Sequence, residues 1–147
     1  MYIILVNFNM GCIMKLIVCI SEDFGISFNA RRVSKDSALC QDVIEMVGTG
    51  TLRVHSYSAK LFSDYPQVLV SDDYLNEAKA GDYCFYEKGE LDPTKVEEIV
   101  LYNWNRAYPS DLKLQDIIDI TEFNLGDCRD FAGSSHDNIT CEIYKRG

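Results

Sequence analysis

The apolar positions of the chain fall into short runs separated by turn residues. Lys15–Ser21 runs almost without a polar break, as expected of a strand buried on both faces, and Ser21–Gly25 turns it. Leu39, Val43, Met46 and Val47 recur at helical spacing, which predicts a helix over Asp36–Val47, with Ser34 as its N-cap and Gly48 and Gly50 ending it. Short strands are predicted at Leu52–Ser56, Gln67–Ser71 and Tyr83–Glu87. Between them come a short helix at Ser58–Asp64 and a helical turn at Asp72–Ala80. After a turn at Lys88–Pro93, Thr94–Glu98 reads as a short helix feeding the strand Ile99–Asn103, and Ile117–Thr121 and Ile139–Tyr144 read as the closing strands. The alternation predicts one α/β domain over residues 14–147 with helices on the faces of a central sheet. Lys15–Ser21, Gln67–Ser71 and Ile99–Asn103 are expected to be its buried neighbours. Residues 1–13 stand apart as an extension, with Tyr2–Val6 either an edge strand or a tail.

Composition narrows the function classes. The chain has 147 residues, 47% of them hydrophobic and 25% charged, which is globular rather than disordered. A net charge of −9 disfavours general nucleic-acid binding, because an acidic surface repels phosphate backbones. No run approaches the length of a membrane span and no secretory signal is visible, so a cytoplasmic protein that binds no membrane is expected. The six cysteines Cys12, Cys19, Cys40, Cys84, Cys128 and Cys141 lack metal-ligand or redox-pair spacing. They are expected to be reduced, mostly buried thiols, and no metal, required disulfide or resident cofactor is expected.

Three segments carry candidate chemistry. Arg31, Arg32 and Lys35 form the densest basic cluster and precede a helix start, where backbone N–H groups and cations together suit an anion. Trp104 and Arg106, with Tyr108 and Pro109, follow a buried strand; the ring suits stacking on a base and the guanidinium suits a phosphate or carboxylate. Gly133-Ser134-Ser135-His136-Asp137 places polar groups in a turn able to contact phosphate through Ser134 and Ser135, with His136 as donor or acid. Adjacent residues in extended chain point to opposite faces, so this pentapeptide cannot form a triad within itself. His55 sits inside a strand pattern and reads as structural.

The order of elements resembles dihydrofolate reductase in shortened form. The resemblance rests on the opening strand Met14–Ser21, the pair Gly25-Ile26, and Asp36 eleven residues later at the start of the first helix. It continues in Val96-Glu97-Glu98-Ile99-Val100-Leu101-Tyr102 and in a tail from Thr121-Glu122-Phe123 to Cys141-Glu142-Ile143-Tyr144. It implies an α/β sandwich with a mostly parallel sheet and a C-terminal antiparallel hairpin, and it marks Asp36 as a substrate-binding acid. Where that family carries a glycine pair against the dinucleotide phosphates, this chain has Asn103-Trp104-Asn105, which predicts weak NADPH binding. The chain also resembles short bacterial proteins that share an FN-x-RR-x-S-x-D opening, a WNR-x-YP loop and a GSSH tail and often carry the label ribonuclease Z. With only His55 and His136, it lacks the H-x-H-x-D-H zinc motif that such an activity requires.

The leading expectation is a small anionic, nucleotide-like ligand held by Arg31, Arg32, Lys35, Trp104, Arg106, Ser134 and Ser135. Asp36 and His136 are the proton carriers if a reaction occurs. The alternatives are a reductase using NADPH and a protein–protein interaction module. Arg31 or Arg32, Arg106 and His136 are expected to border one cleft.

Overall fold

The structure, a computed structural model, describes residues 13–147, so the expectation for Tyr2–Val6 falls outside the described residues. Seven strands form the main sheet: β1 (Met14–Ile20), β4 (Leu52–Val54), β5 (Leu69–Val70), β6 (Tyr83–Phe85), β7 (Val96–Asn103), β9 (Phe123–Phe131) and β10 (Ile139–Arg146). Their order is β5-β4-β6-β1-β7-β10-β9. The first five run parallel, and β10 pairs antiparallel with both β7 and β9. A small second sheet joins β2 (Gly25–Phe28), β3 (Arg31–Arg32) and β8 (Leu112–Lys113) in the order β3-β2-β8. The mostly parallel sheet and C-terminal hairpin agree with the architecture expected from the sequence.

Period-two alternation on the central strands divides the core into two layers. Leu16, Val18 and Ile20 of β1 join Ile99 and Leu101 of β7 on one face, under Tyr74, Leu75, Leu114 and Ile118. Ile17, Val100, Tyr102 and Trp104 lie on the other face, covered by Leu39, Cys40 and Val43 of helix α1 (Ser37–Val47). A second, four-residue helix, α2 (Tyr74–Glu77), places Tyr74 and Leu75 in the first layer.

Several expected elements differ from those observed. Asp36, not Ser34, caps α1. Its backbone is extended (φ −158°, ψ 126°), and its carboxylate accepts from Ala38 N at 2.9 Å and Leu39 N at 3.2 Å. The apolar segment Ile117–Thr121 is not a strand. Asp116 accepts from Lys113 N and Asp119 from Thr121 N, and these side-chain bonds wind the backbone into 3-10 turns. The outer strand of the hairpin is β9, which starts at Phe123 and is largely exposed. Gln67–Ser71 shortens to Leu69–Val70 at the sheet edge, where both side chains are about half exposed rather than buried. Pro93–Lys95 makes one 3-10 turn where a helix to Glu98 was expected, and β7 already begins at Val96. Ser56–Phe62 is likewise a 3-10 helix, started by His55, whose Nδ1 accepts from Tyr57 N. Gly25–Phe28 is a strand beyond the turn predicted there.

Candidate functional site

The carboxyl ends of β1, β6 and β7 open on the same side as the segment that leads into α1. Open α/β sheets bind ligands at this end. Residues 33–36 connect β3 to α1, Trp104 follows β7, and Glu87 lies two residues past β6. The β9–β10 turn carrying His136 folds over the start of α1, because Thr140 in β10 pairs with Asn103 at the end of β7.

At the centre lies Asp36, whose side chain is fully buried. Besides capping α1, it accepts from Ser134 N at 3.0 Å, Ser135 N at 2.8 Å and both serine hydroxyls. Burial alone would raise its pKa. The N–H groups of Ser134 and Ser135, the His136 ring and the N–H of Leu39 outweigh it and hold the carboxyl well below the usual carboxylate range. The Gly-Ser-Ser turn is therefore an anion-binding turn whose anion is the chain's own Asp36. Gly133 fits this turn for a steric reason: a Cβ there would lie 2.5 Å from Asp36 Oδ2 and 2.7 Å from the His136 carbonyl.

The ring of His136 extends the cluster. Its Nδ1 is 3.0 Å from Asp36 Oδ2, and its Nε2 is 2.9 Å from Ser34 Oγ and 3.0 Å from the Tyr108 hydroxyl. An ionised Asp36 only accepts, so Nδ1 carries a proton toward it, and in the neutral ring Nε2 presents a lone pair. Two hydroxyls face that lone pair, Ser34 at the shorter distance, and the Tyr108 hydroxyl is also 3.3 Å from Ser34 Oγ. Trp104 stacks on the imidazole with centroids 4.5 Å apart and planes 26° apart, closing one face of the ring. The resulting chain Tyr108–Ser34–His136–Asp36 is able to move a proton from a hydroxyl to a buried, fixed imidazole.

Beside this cluster, Arg32 gives both Nε and Nη2 to Glu87 at 2.8 Å, donates to Tyr57 O, and lies over the Tyr57 ring. Ser58 also donates to Glu87. Three cavities meet here. The enclosed one, about 20 Å³, has room for about one water molecule and is walled by Arg32, Ser34, Asp36, Phe85, Glu87 and Trp104, among others. The second, about 500 Å³, lies against Phe28, Asn29, Arg31, Arg32, Val33, Tyr108 and Pro109. The third, about 330 Å³, is lined by Lys35, Asp36, Ser37, Cys40, Lys60, Leu61 and Ser135. Arg32 and Val33 are shared by the first two, and Lys35, Asp36, Cys40 and Leu61 by the first and third. Of the cations lining these cavities, Arg31, Lys35 and Lys60 are exposed and pair with no carboxylate among the described residues, as do Lys79, Arg106 and Lys145 elsewhere on the surface.

Most of the residues singled out in the sequence thus lie together. Arg31, Arg32, Lys35, Asp36, Trp104, Ser134, Ser135 and His136 surround these cavities or the cluster that backs them. Their settings differ from those expected: Arg32 is committed to Glu87, Ser134 and Ser135 to Asp36, and Trp104 to His136. Arg106 is exposed and walls none of the three cavities; its carbonyl accepts from Glu22 N, beside the Ser21–Gly25 turn. Sequence reasoning did not single out Glu87 or Lys60, and it read Ser34 only as a cap. Ser34 and His136 are 102 residues apart, and only the closure of the C-terminal hairpin brings them together. Among the described residues, no group of three or more His, Cys, Asp or Glu side chains is placed to hold a metal ion. No helix among them is long and apolar enough to cross a membrane.

No protein-family model matches the chain, and no curated protein matches it by sequence. Solved structures do match. A dihydrofolate reductase from Enterococcus faecalis, in complex with NADP(H) and RAB-propyl, superposes with a TM-score of 0.63 at 12% identity, covering 94% of this chain and 98% of that one. The chain has a fold like that of dihydrofolate reductase.

Proposed function

We propose that the chain binds a small anionic, nucleotide-like ligand across the cavities between β3, α1 and the loop after β7. The observation that carries this reading is the placement of unpaired cations on a chain of net charge −9: Arg31 at one cavity, Lys35 and Lys60 at another. The volume of about 500 Å³ beside Arg31 suits a small-molecule ligand, and Phe28 and Tyr108 supply ring surface there. Of the cluster Arg31, Arg32 and Lys35 expected to contact an anion, Arg32 is neutralised by Glu87, so Arg31 takes its place at the larger cavity.

The second reading is a nicotinamide-dependent reductase, supported by the likeness to a reductase whose structure contains NADP(H). Against it, the end of β7 and the loop after it carry the side chains of Asn103 and Asn105 where a dinucleotide would need bare backbone. Asn105 holds a left-handed backbone (φ 57°) and donates to Thr140 and to the carbonyl of Asn138.

A thermal-shift screen over mononucleotides, their nucleosides and NADPH separates the readings. A specific ligand raises the melting temperature by mass action. The anionic-ligand reading expects stabilisation by a mononucleotide that the matching nucleoside does not give and that Arg31→Ala weakens. Stabilisation by NADPH alone, with its oxidation when a pterin is added, would favour the reductase.

A further inference from the structure

We infer that Ser34 is an activated nucleophile, with His136 as its base and Asp36 as the positioning residue, and that the chain hydrolyses small esters bearing a carboxylate or phosphate. The geometry has the nucleophile–base–carboxylate contacts of acyl transfer. Ser34 Oγ is 2.9 Å from His136 Nε2, and His136 Nδ1 is 3.0 Å from Asp36 Oδ2. Burial follows the same order: the Asp36 side chain is closed to solvent, the His136 side chain is 2% exposed, and Ser34 is half-buried at the wall of the enclosed cavity of about 20 Å³. Trp104 stacked on the imidazole, with centroids 4.5 Å apart, restrains the ring's orientation.

The neighbouring hydroxyls and thiol do not meet these conditions. Ser135 Oγ is 3.2 Å from Nδ1, but that nitrogen carries the proton directed at Asp36. Ser134 Oγ is bonded to Asp36 and Ser37 and has no base. Burial pushes the Cys40 thiol up to about 11, so at neutral pH it is protonated. Tyr108 also reaches Nε2, at 3.0 Å, and its hydroxyl is 3.3 Å from Ser34 Oγ. Tyr108 is at once a wall of the cavity of about 500 Å³, so a substrate there lies within one side chain of the nucleophile.

The reaction balances with water as the only co-reactant. Ser34 Oγ bonds to the ester carbonyl carbon while its proton passes to His136 Nε2. The carbon–oxygen bond to the alcohol then breaks, and Nε2 returns the proton to the departing alkoxide. Water attacks the acyl-Ser34 carbon, its proton going to Nε2 and then to Ser34 Oγ as the acid leaves. The choice of an anionic ester rests on the ligand reading above; the nucleophile itself does not.

The test therefore uses an uncharged probe. Phenylmethanesulfonyl fluoride is added to the full chain; a bond forms from Ser34 Oγ to sulfur, the sulfur–fluorine bond breaks, and fluoride leaves. Peptide mapping by mass spectrometry is expected to find one adduct per chain, at Ser34, and Ser34→Ala should lose it. His136→Ala and Asp36→Asn, each checked as folded by circular dichroism, should slow labelling about a hundredfold or more. Labelling of Ser34 no faster than of Ser37 or Ser134 in the folded native chain would overturn the proposal. So would an adduct on Tyr108 instead, or a folded His136→Ala chain that labels at the native rate. If the His136 and Asp36 variants do not fold, the native chain and Ser34→Ala decide. Failure here leaves the nucleotide screen untouched, and the reverse also holds.

Discussion

Asp36 joins stability and chemistry in one side chain. It closes the orphan N–H groups at the start of α1, satisfies two more in the Gly-Ser-Ser turn, and fixes the tautomer of His136. Its depressed pKa sets the sign of a pH effect. A carboxyl that is a stronger acid folded than unfolded contributes stability above its unfolded value, near pH 4, and that stability is lost as pH falls below it. Urea unfolding is expected to show the native chain losing stability steeply below about pH 4. Asp36→Asn should be less stable at pH 7 by about 2–4 kcal/mol, from the lost charge-assisted bonds, and flatter in acid. Equal acid slopes in the two proteins would contradict this account. Of this residue-scale picture, the sequence made Asp36 legible through its place at a helix start. It did not show the cluster, because the contacts of Asp36 with Ser134, Ser135 and His136 span about a hundred positions and leave no local pattern.

At the scale of elements, legibility followed burial. β1, the Ile99–Asn103 part of β7 and α1 were plain in the sequence, the strands because burial on both faces makes an unbroken apolar run and the helix because its apolar positions recur at helical spacing. β9 was not: its partner β10 covers only one edge, its faces are mostly exposed, and Asn-Leu-Gly-Asp-Cys-Arg-Asp carries no alternation. The same logic misleads at Ile117–Thr121, where apolar composition suggested a strand but Asp116 and Asp119 bond to nearby N–H groups and curl the chain. Helix α1 holds the site's floor in place through Leu39 and Val43, which are 1% and 0% exposed. Leu39→Ala, which leaves a void beneath Asp36 and Cys40, should cost about 2–5 kcal/mol in chemical denaturation. Met46→Ala, nearer the exposed end of the helix, should cost less.

For the whole molecule, the fold supplies a frame and the loops supply the chemistry. The parallel sheet brings the ends of β1, β6 and β7 to one side, and the antiparallel hairpin folds His136 back to meet them. Of the cations around the cavities, Arg32 is spent on Glu87, while Arg31, Lys35 and Lys60 pair with no described carboxylate. On the reading proposed above, these three hold an anionic ligand. Trp104, the single tryptophan, walls the enclosed cavity that adjoins both larger ones, so its fluorescence reports on their occupancy. The most direct measurement is titration of a mononucleotide and of its nucleoside into the chain at low salt, followed by Trp104 emission, with Arg31→Ala in parallel. A saturable change is expected with the mononucleotide and little with the nucleoside. Affinity should weaken by about 1–3 kcal/mol in Arg31→Ala and fall as salt is raised. Equal binding of nucleoside and nucleotide, or an Arg31→Ala chain that binds as tightly as the native one, would contradict it.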